Sequence, residues 1–262
     1  LATGGVPAIK EVVQPSPSSP SKVGTWLKVG VSGGVLALVL WTVDWSAFTT
    51  LAATVRWPAV LLAALCMGLA YPLHAWPLGV LLRQQGIVVP FTELHRITWI
   101  SIFFGSLTPG GVGGDASRLL HVFGRVPDNK PGGAAAVIVE RVIGLAVLLL
   151  LAVLAAVVSL RAGRAATELT ALLPVFLLAF LALIAGWWLL ARLPAEGRFA
   201  ALRAAARQTL RPPGALGWAA LISLTIWSVD FAAGWVLARA LGWPVGLVEI
   251  SLALAVAYTV SS

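Results

Sequence analysis

The run Thr108-Pro-Gly-Gly-Val-Gly-Gly-Asp-Ala-Ser-Arg118 sets an acid and a base three residues apart, directly behind four glycines. Such a run concentrates what an anionic headgroup needs. Glycine leaves backbone N–H groups uncovered, a helix beginning after Gly114 points its positive end into the loop, and the Arg118 fork can grip a phosphate in two places. The competing reading is a tight turn capped by Asp115, with Arg118 as its i,i+3 partner. Both readings stay open on the residues alone. A nucleotide loop is excluded, because its Lys-Ser/Thr ending is missing and no strand-turn-helix pattern surrounds the run.

A second pair of charges, Glu140 and Arg141, stands inside an apolar block from Gly132 to Leu160. An arginine at the centre of a membrane helix costs about 2.5 to 3.5 kcal/mol on insertion scales. Adjacent helical residues point about 100° apart, so these two cannot face each other and each must find a partner elsewhere. The expected pairs are Arg141 with Asp115 and Glu140 with Arg118, a buried network in which loss of one member strands a charge. Structural pairing and direct substrate contact are both open roles. His74, between Pro72 and Pro77, and Asp230, in a later apolar block, face the same choice between packing and a polar cavity,. No nucleophile elbow and no metal-ligand spacing is found, so neither an enzyme nor a cofactor or metal is expected.

The elements that hold these charges must live in lipid. Hydrophobic residues make up 59% of the 262 residues and charged ones 11%, and mean hydropathy is +0.94. An ordinary soluble domain is roughly 45–50% apolar and about a quarter charged. The formal charge of +8 comes from basic residues placed between apolar blocks, which argues for loops beside membrane spans and against nucleic acid,. Twelve Trp against two Tyr, many at block ends, fit the headgroup level,. Cys66 is the only cysteine, so no internal disulfide is possible,.

Along the chain, Leu1–Lys22 is rich in Pro, Ser and Gly and reads as a disordered tail over residues 1–22, with a transmembrane domain over 23–262,. Apolar blocks are expected at Trp26–Trp45, Trp57–Leu82 (kinked by Pro72 and Pro77), Gly132–Leu160, Leu169–Leu193, Ala215–Leu241 and Val245–Ser262,. A short helix is expected at Asp115–Phe123 with Asp115 as N-cap, and a basic amphipathic connector at Ala195–Arg211 lying on the anionic inner leaflet. The chain starts without Met and stops inside an apolar run, so a fragment is expected, at least at the C-terminus. The fold class is all-α, a polytopic transmembrane helical bundle.

Arginine placement predicts the topology. The connector with Arg198, Arg203, Arg207 and Arg211 is the strongest vote for a cytoplasmic loop. Counting from it, and from Lys22 and Lys28, puts both ends of Phe91–Arg118 on the cytoplasmic side. That stretch is too short for two crossings at 1.5 Å per residue. It is therefore expected to be a re-entrant hairpin with the glycine run at its tip, which is tolerated only where it is buried in protein or lines a wet cavity.

Three segments carry a family resemblance: Phe104-Gly-Ser-Leu-Thr-Pro-Gly-Gly-Val-Gly-Gly-Asp-Ala-Ser-Arg118, Val139-Glu-Arg-Val-Ile-Gly144, and Trp76–Gly86 reading WPLGVLLRQQG. On these the chain resembles the flippase-like transmembrane domain of lysylphosphatidylglycerol synthases. The resemblance implies a bacterial inner-membrane protein whose partners are anionic or aminoacylated phospholipids moved between leaflets, and the count from Lys22 and Lys28 puts its N-terminus in the cytoplasm,. It points to Pro109, Gly110, Gly113, Gly114, Asp115, Arg118, Glu140 and Arg141 as substrate-binding residues. The alternative is a non-catalytic membrane partner or regulator of a lipid-modifying or glycosyl-transferring enzyme. Two departures matter. Ala75 stands where the family commonly has Arg, and a second glycine-rich motif that the resemblance implies after Ser251–Ser262 lies beyond this chain.

Overall fold

Proline placement decides how the first long apolar stretch is built. The computed structural model describes residues 30, 33–34, 37–38, 40–108, 111–161, 173–192, 196 and 199–261. By internal contacts the chain divides into Leu1–Val55 and Arg56–Ser262. The expected tail, Leu1–Lys22, lies outside the described residues, and the Trp26–Trp45 block falls within them only in part. In the first unit, helix α1 is Trp45–Thr54. The Asp44 carboxylate opens it by accepting from the Ser46 hydroxyl (2.6 Å) and from the amides of Ser46 (3.0 Å) and Ala47 (3.1 Å),. These bonds, the Ser46 hydroxyl first, favour the ionised form and hold the Asp44 carboxyl below its ordinary value,.

The second unit begins with α2 (Trp57–Ala70), a 3-10 segment (Tyr71–Ala75) and α3 (Trp76–Gln84). Pro72 and Pro77 each remove an amide donor, so the stretch tightens locally to i→i+3 bonding at the expected kink. Gly86, at φ 71°, ends it in a left-handed turn that glycine adopts without a Cβ penalty,. Next come α4 (Phe91–Ser106) and α5 (Val112–Arg125), packed against each other as a hairpin. A 3-10 turn, Pro127–Asn129, leads into α6 (Lys130–Arg161), then α7 (Leu173–Ala191), α8 (Ala200–Leu210), α9 (Pro213–Ala240) and α10 (Leu247–Ser261).

Three helical stretches among the described residues are long and apolar enough to cross a membrane: Trp57–Gln84, Pro127–Arg161 and Pro213–Ala240. Shorter apolar helices at Pro174–Gly186 and Leu247–Thr259 accompany them. At 32 residues, α6 is about 48 Å long and serves as the spine,. Its N-terminal half packs on α3 and the hairpin through Leu78, Leu82, Leu94, Val122 and Val139, all nearly inaccessible. Its C-terminal half packs on α7, α9 and α10 around Leu148, Leu149, Phe176, Phe231 and Leu252. The Trp227 indole of α9 donates to the Gly144 carbonyl of α6 at 3.0 Å, which fixes the rotation of one helix against the other.

Asn129 caps the spine, its side-chain oxygen accepting from the Gly132 amide at 3.0 Å. Asn129→Ala leaves that donor unmatched and is expected to lower unfolding stability by about 1 kcal/mol, measured by denaturant titration in detergent. An unchanged midpoint would show that the first-turn amides find another acceptor.

The basic connector is docked in the bundle as well as being amphipathic. The Gln85 side-chain amide donates to the Ala205 carbonyl (2.8 Å) and the Thr209 hydroxyl (2.7 Å), and the Gln208 amide donates to the Gln84 carbonyl (3.0 Å). Ala205 and Ala206 of α8 pack on Ala135 of α6, small residues that let the helix axes approach,. One face of α8 is held by protein, while Arg207 and Arg211 stay exposed.

Candidate functional site

The hairpin owes its close packing to small residues on both arms. Ser101 and Gly105, one turn apart on α4, meet Gly114 on α5. The Ser101 hydroxyl donates to the Gly114 carbonyl at 2.9 Å. A Cβ added at Gly114 would lie 2.6 Å from the Ser101 carbonyl oxygen and 3.1 Å from the Gly105 Cα, both backbone atoms. Gly114 is therefore glycine for the approach of two backbones, in the small-xxx-small manner of membrane helices.

The tip has its own arrangement. Gly111 stands at φ 65° as the residue before α5, and having no side chain it cannot cap the helix,. Thr108 does so from three residues upstream, its hydroxyl accepting from the Gly113 amide (2.9 Å) and donating to the Phe104 carbonyl (3.0 Å). Two expectations change here. The helix starts at Val112, so Asp115 lies within its first turn instead of capping it, and the Gly113 amide is occupied by Thr108 instead of standing free for an anion. Pro109 and Gly110 lie outside the described residues. Thr108 was legible only as a loop residue, although Ser101-x3-Gly105 carried a packing signal in plain view.

The four charges meet as two crossed pairs between α5 and α6. Arg118 Nη1 donates to both carboxylate oxygens of Glu140 at 2.6 Å, and their side chains are 7% and 12% exposed. Arg141 pairs with Asp115 through Nε and Nη2, nearer the outside of the bundle. The alternative in which Asp115 and Arg118 pair with each other is not what forms. The set is electroneutral, as burial in a low-dielectric setting requires. Arg118, itself 6% exposed, spends one nitrogen on Glu140, and its buried Nε has no hydrogen-bond partner among the described residues. An arginine fork has five N–H donors, so this one retains capacity for a further acceptor.

Helix lengths place the set. Asp115 and Arg118 lie at the tip end of α5, while at the open end of the hairpin Glu93 pairs with Arg125 (2.9 Å) and Arg96 (3.5 Å). The arms are about 24 Å and about 21 Å long, each shorter than a hydrocarbon core of about 30 Å,. Glu140 lies about 15 Å along α6 from Lys130,.

His74, in the 3-10 segment, lies within electrostatic reach of Arg118, Glu140 and Arg141. Ala75 beside it, the last residue of that segment, is fully buried in a core with Leu78 and Leu82, which leaves no room for an arginine at that position. No group of three or more His, Cys, Asp or Glu that could hold a metal is found among the described residues.

Comparison with known proteins follows the same segments. No curated protein matches the chain, and no solved structure does. A family model described as the lysylphosphatidylglycerol synthase TM region matches residues 25–262, a span that contains the hairpin, the kinked stretch and the whole of α6. The chain therefore belongs to the lysylphosphatidylglycerol synthase TM region family.

Proposed function

We propose that this membrane protein binds a phospholipid by its headgroup at the hairpin tip and carries it between leaflets. The observation that carries the reading is Arg118, a buried guanidinium held end-on by one nitrogen while its Nε stays unmatched. A lipid phosphate reaching the tip would complete that donor set and compete with Glu140 for it, so the charge released on Glu140 must be taken up nearby. Arg141, the next residue on α6 and already paired with Asp115, is the cation nearest to it in sequence. The lipid tails would remain in the bilayer against the apolar outer faces of the helices. The substrate class favoured is an anionic or aminoacylated phospholipid, and no covalent step is assigned to the chain.

The orientation we favour puts the open end of the hairpin in the cytoplasm. Asn129 donates to the Gln85 carbonyl at 3.4 Å and Gln85 holds α8, so the end of α3, the start of α6 and the connector lie together. Arg83, Arg125, Lys130, Arg207 and Arg211 belong to that end, in keeping with the inside preference of basic loops,. A bacterial inner membrane with a cytoplasmic N-terminus is the setting this implies.

The test uses the full chain in vesicles carrying a dye-labelled phosphatidylglycerol. Arg118→Ala and Asp115→Ala, once shown to fold by their melting profile, are expected to slow translocation by at least about tenfold, the equivalent of about 1.4 kcal/mol. Wild-type rates in both variants would end the proposal. Stoichiometric co-purification of a lipid-modifying or glycosyl-transferring enzyme, with no lipid movement by the wild type, would favour a partner role instead.

A further inference from the structure

Asp230 is a buried ionisable side chain that the headgroup site does not use. It lies in α9 about 15 Å from the Ala240 end, is 8% exposed, and enters no ion pair or hydrogen bond among the described residues,. On its own helix the nearest cation, Arg239, is roughly 13 Å further along the axis,. A carboxylate left unpaired at that depth is expensive, and acids kept there commonly handle protons.

Two tyrosines and a histidine stand on the elements packed against its helix. Trp227, one turn earlier on the same face, packs its ring 4.9 Å from that of Tyr258 on α10,. Tyr258 is within electrostatic reach of both Asp230 and Tyr71. The Tyr71 ring lies 5.6 Å from that of His74 at a tilt of 33°. The titratable or charged groups on the elements packed against α9 are Cys66 on α2, Tyr71 and His74 in the 3-10 segment, Arg83 at the end of α3, Lys130, Glu140, Arg141 and Arg161 on α6, and Glu249 and Tyr258 on α10. Of these, the charges of Glu140 and Arg141 are already neutralised in the pairs at the hairpin tip.

We infer that Asp230 is a proton site, binding a proton from water on one side of the membrane and releasing it to the other, so that a proton gradient drives the lipid movement. This rests on the transport reading above. The carboxylate takes up one proton and gives back the same one; no bond other than O–H forms or breaks. One proton carried per lipid under a one-unit pH gradient biases the distribution between leaflets by up to about tenfold.

Two measurements on the full chain test it. Infrared difference spectra recorded between about pH 4 and about pH 9 are expected to show a carboxylic-acid band that titrates in the wild type and is missing from Asp230→Asn. In vesicles with dye-labelled phosphatidylglycerol, a one-unit pH gradient is expected to shift the leaflet ratio in the wild type and in Asp230→Glu. The ratio in Asp230→Asn is expected to stay as it is without a gradient. An identical titrating band in wild type and Asp230→Asn overturns the proposal, as does an equal response of both to the gradient. If no lipid moves in any protein, the transport reading has failed, and the infrared band still decides whether Asp230 binds a proton.

Discussion

Glu140→Ala is expected to remove about 3 to 5 kcal/mol of folding stability. Arg118 is nearly inaccessible, and both of its contacts with a carboxylate come from Glu140. Without that partner the guanidinium remains buried with its charge uncompensated, while α5 and α6 are still pressed together around it by Val122 and Val139. Replacing both members, Arg118→Leu with Glu140→Leu, is expected to recover most of the loss, because two apolar side chains leave no charge to stabilise. Denaturant titrations of the purified protein in one detergent give both numbers. A single variant that loses less than about 1 kcal/mol would show that Arg118 finds a replacement acceptor and that the pair is not what fixes the hairpin to the spine.

Gly114→Ala comes next. The added methyl would meet the Ser101 carbonyl at 2.6 Å, and that oxygen belongs to a helix backbone that cannot step aside without the whole arm. Overpacking of this kind costs about 1 to 3 kcal/mol, against which a gain in helix propensity of about 1 kcal/mol is too small when the arms must part. Gly105→Ala makes the matched comparison. Its new methyl would have the Gly114 Cα at 3.7 Å, ordinary contact, so that variant is expected to be neutral or to gain up to about 1 kcal/mol,. Parallel melts of the two variants decide the matter, and equal effects would refute the close-packing account of the tip.

Much of this could be seen in the sequence, for identifiable reasons. Long apolar blocks and prolines act locally, so the kink at Pro72 and Pro77 and the extent of α6 were readable from neighbours alone,. The crossed pairing of Arg118 with Glu140 and Asp115 with Arg141 was readable because buried charges must be matched, and few candidates stood at that depth,. What escaped depends on distance along the chain or on a role that leaves no pattern. Gln85 reaches α8 across 120 residues, and no local rule links an amide at one helix end to a carbonyl that remote. Thr108 caps α5 because Gly111 cannot, a substitution of function visible only once the left-handed turn is known. A glycine's packing role leaves no local pattern either: Gly113 and Gly114 let Phe104, Thr108 and Ser101 come close.

The 3-10 segment Tyr71–Ala75 also resets the angular phase of the helix that contains it. Each of its five residues advances about 120° about the axis instead of about 100°, so α3 emerges rotated by roughly 100°, one full residue step, from where α2 would have carried it,. A helical wheel drawn continuously from Trp57 to Gln84 would therefore assign the wrong side to every position after Ala75. In α2 only Ala63 and Ala70 are buried, and in α3 Pro77, Leu78, Gly79, Leu81 and Leu82 all are. One continuous stretch thus turns mostly outward in its first half and inward in its second.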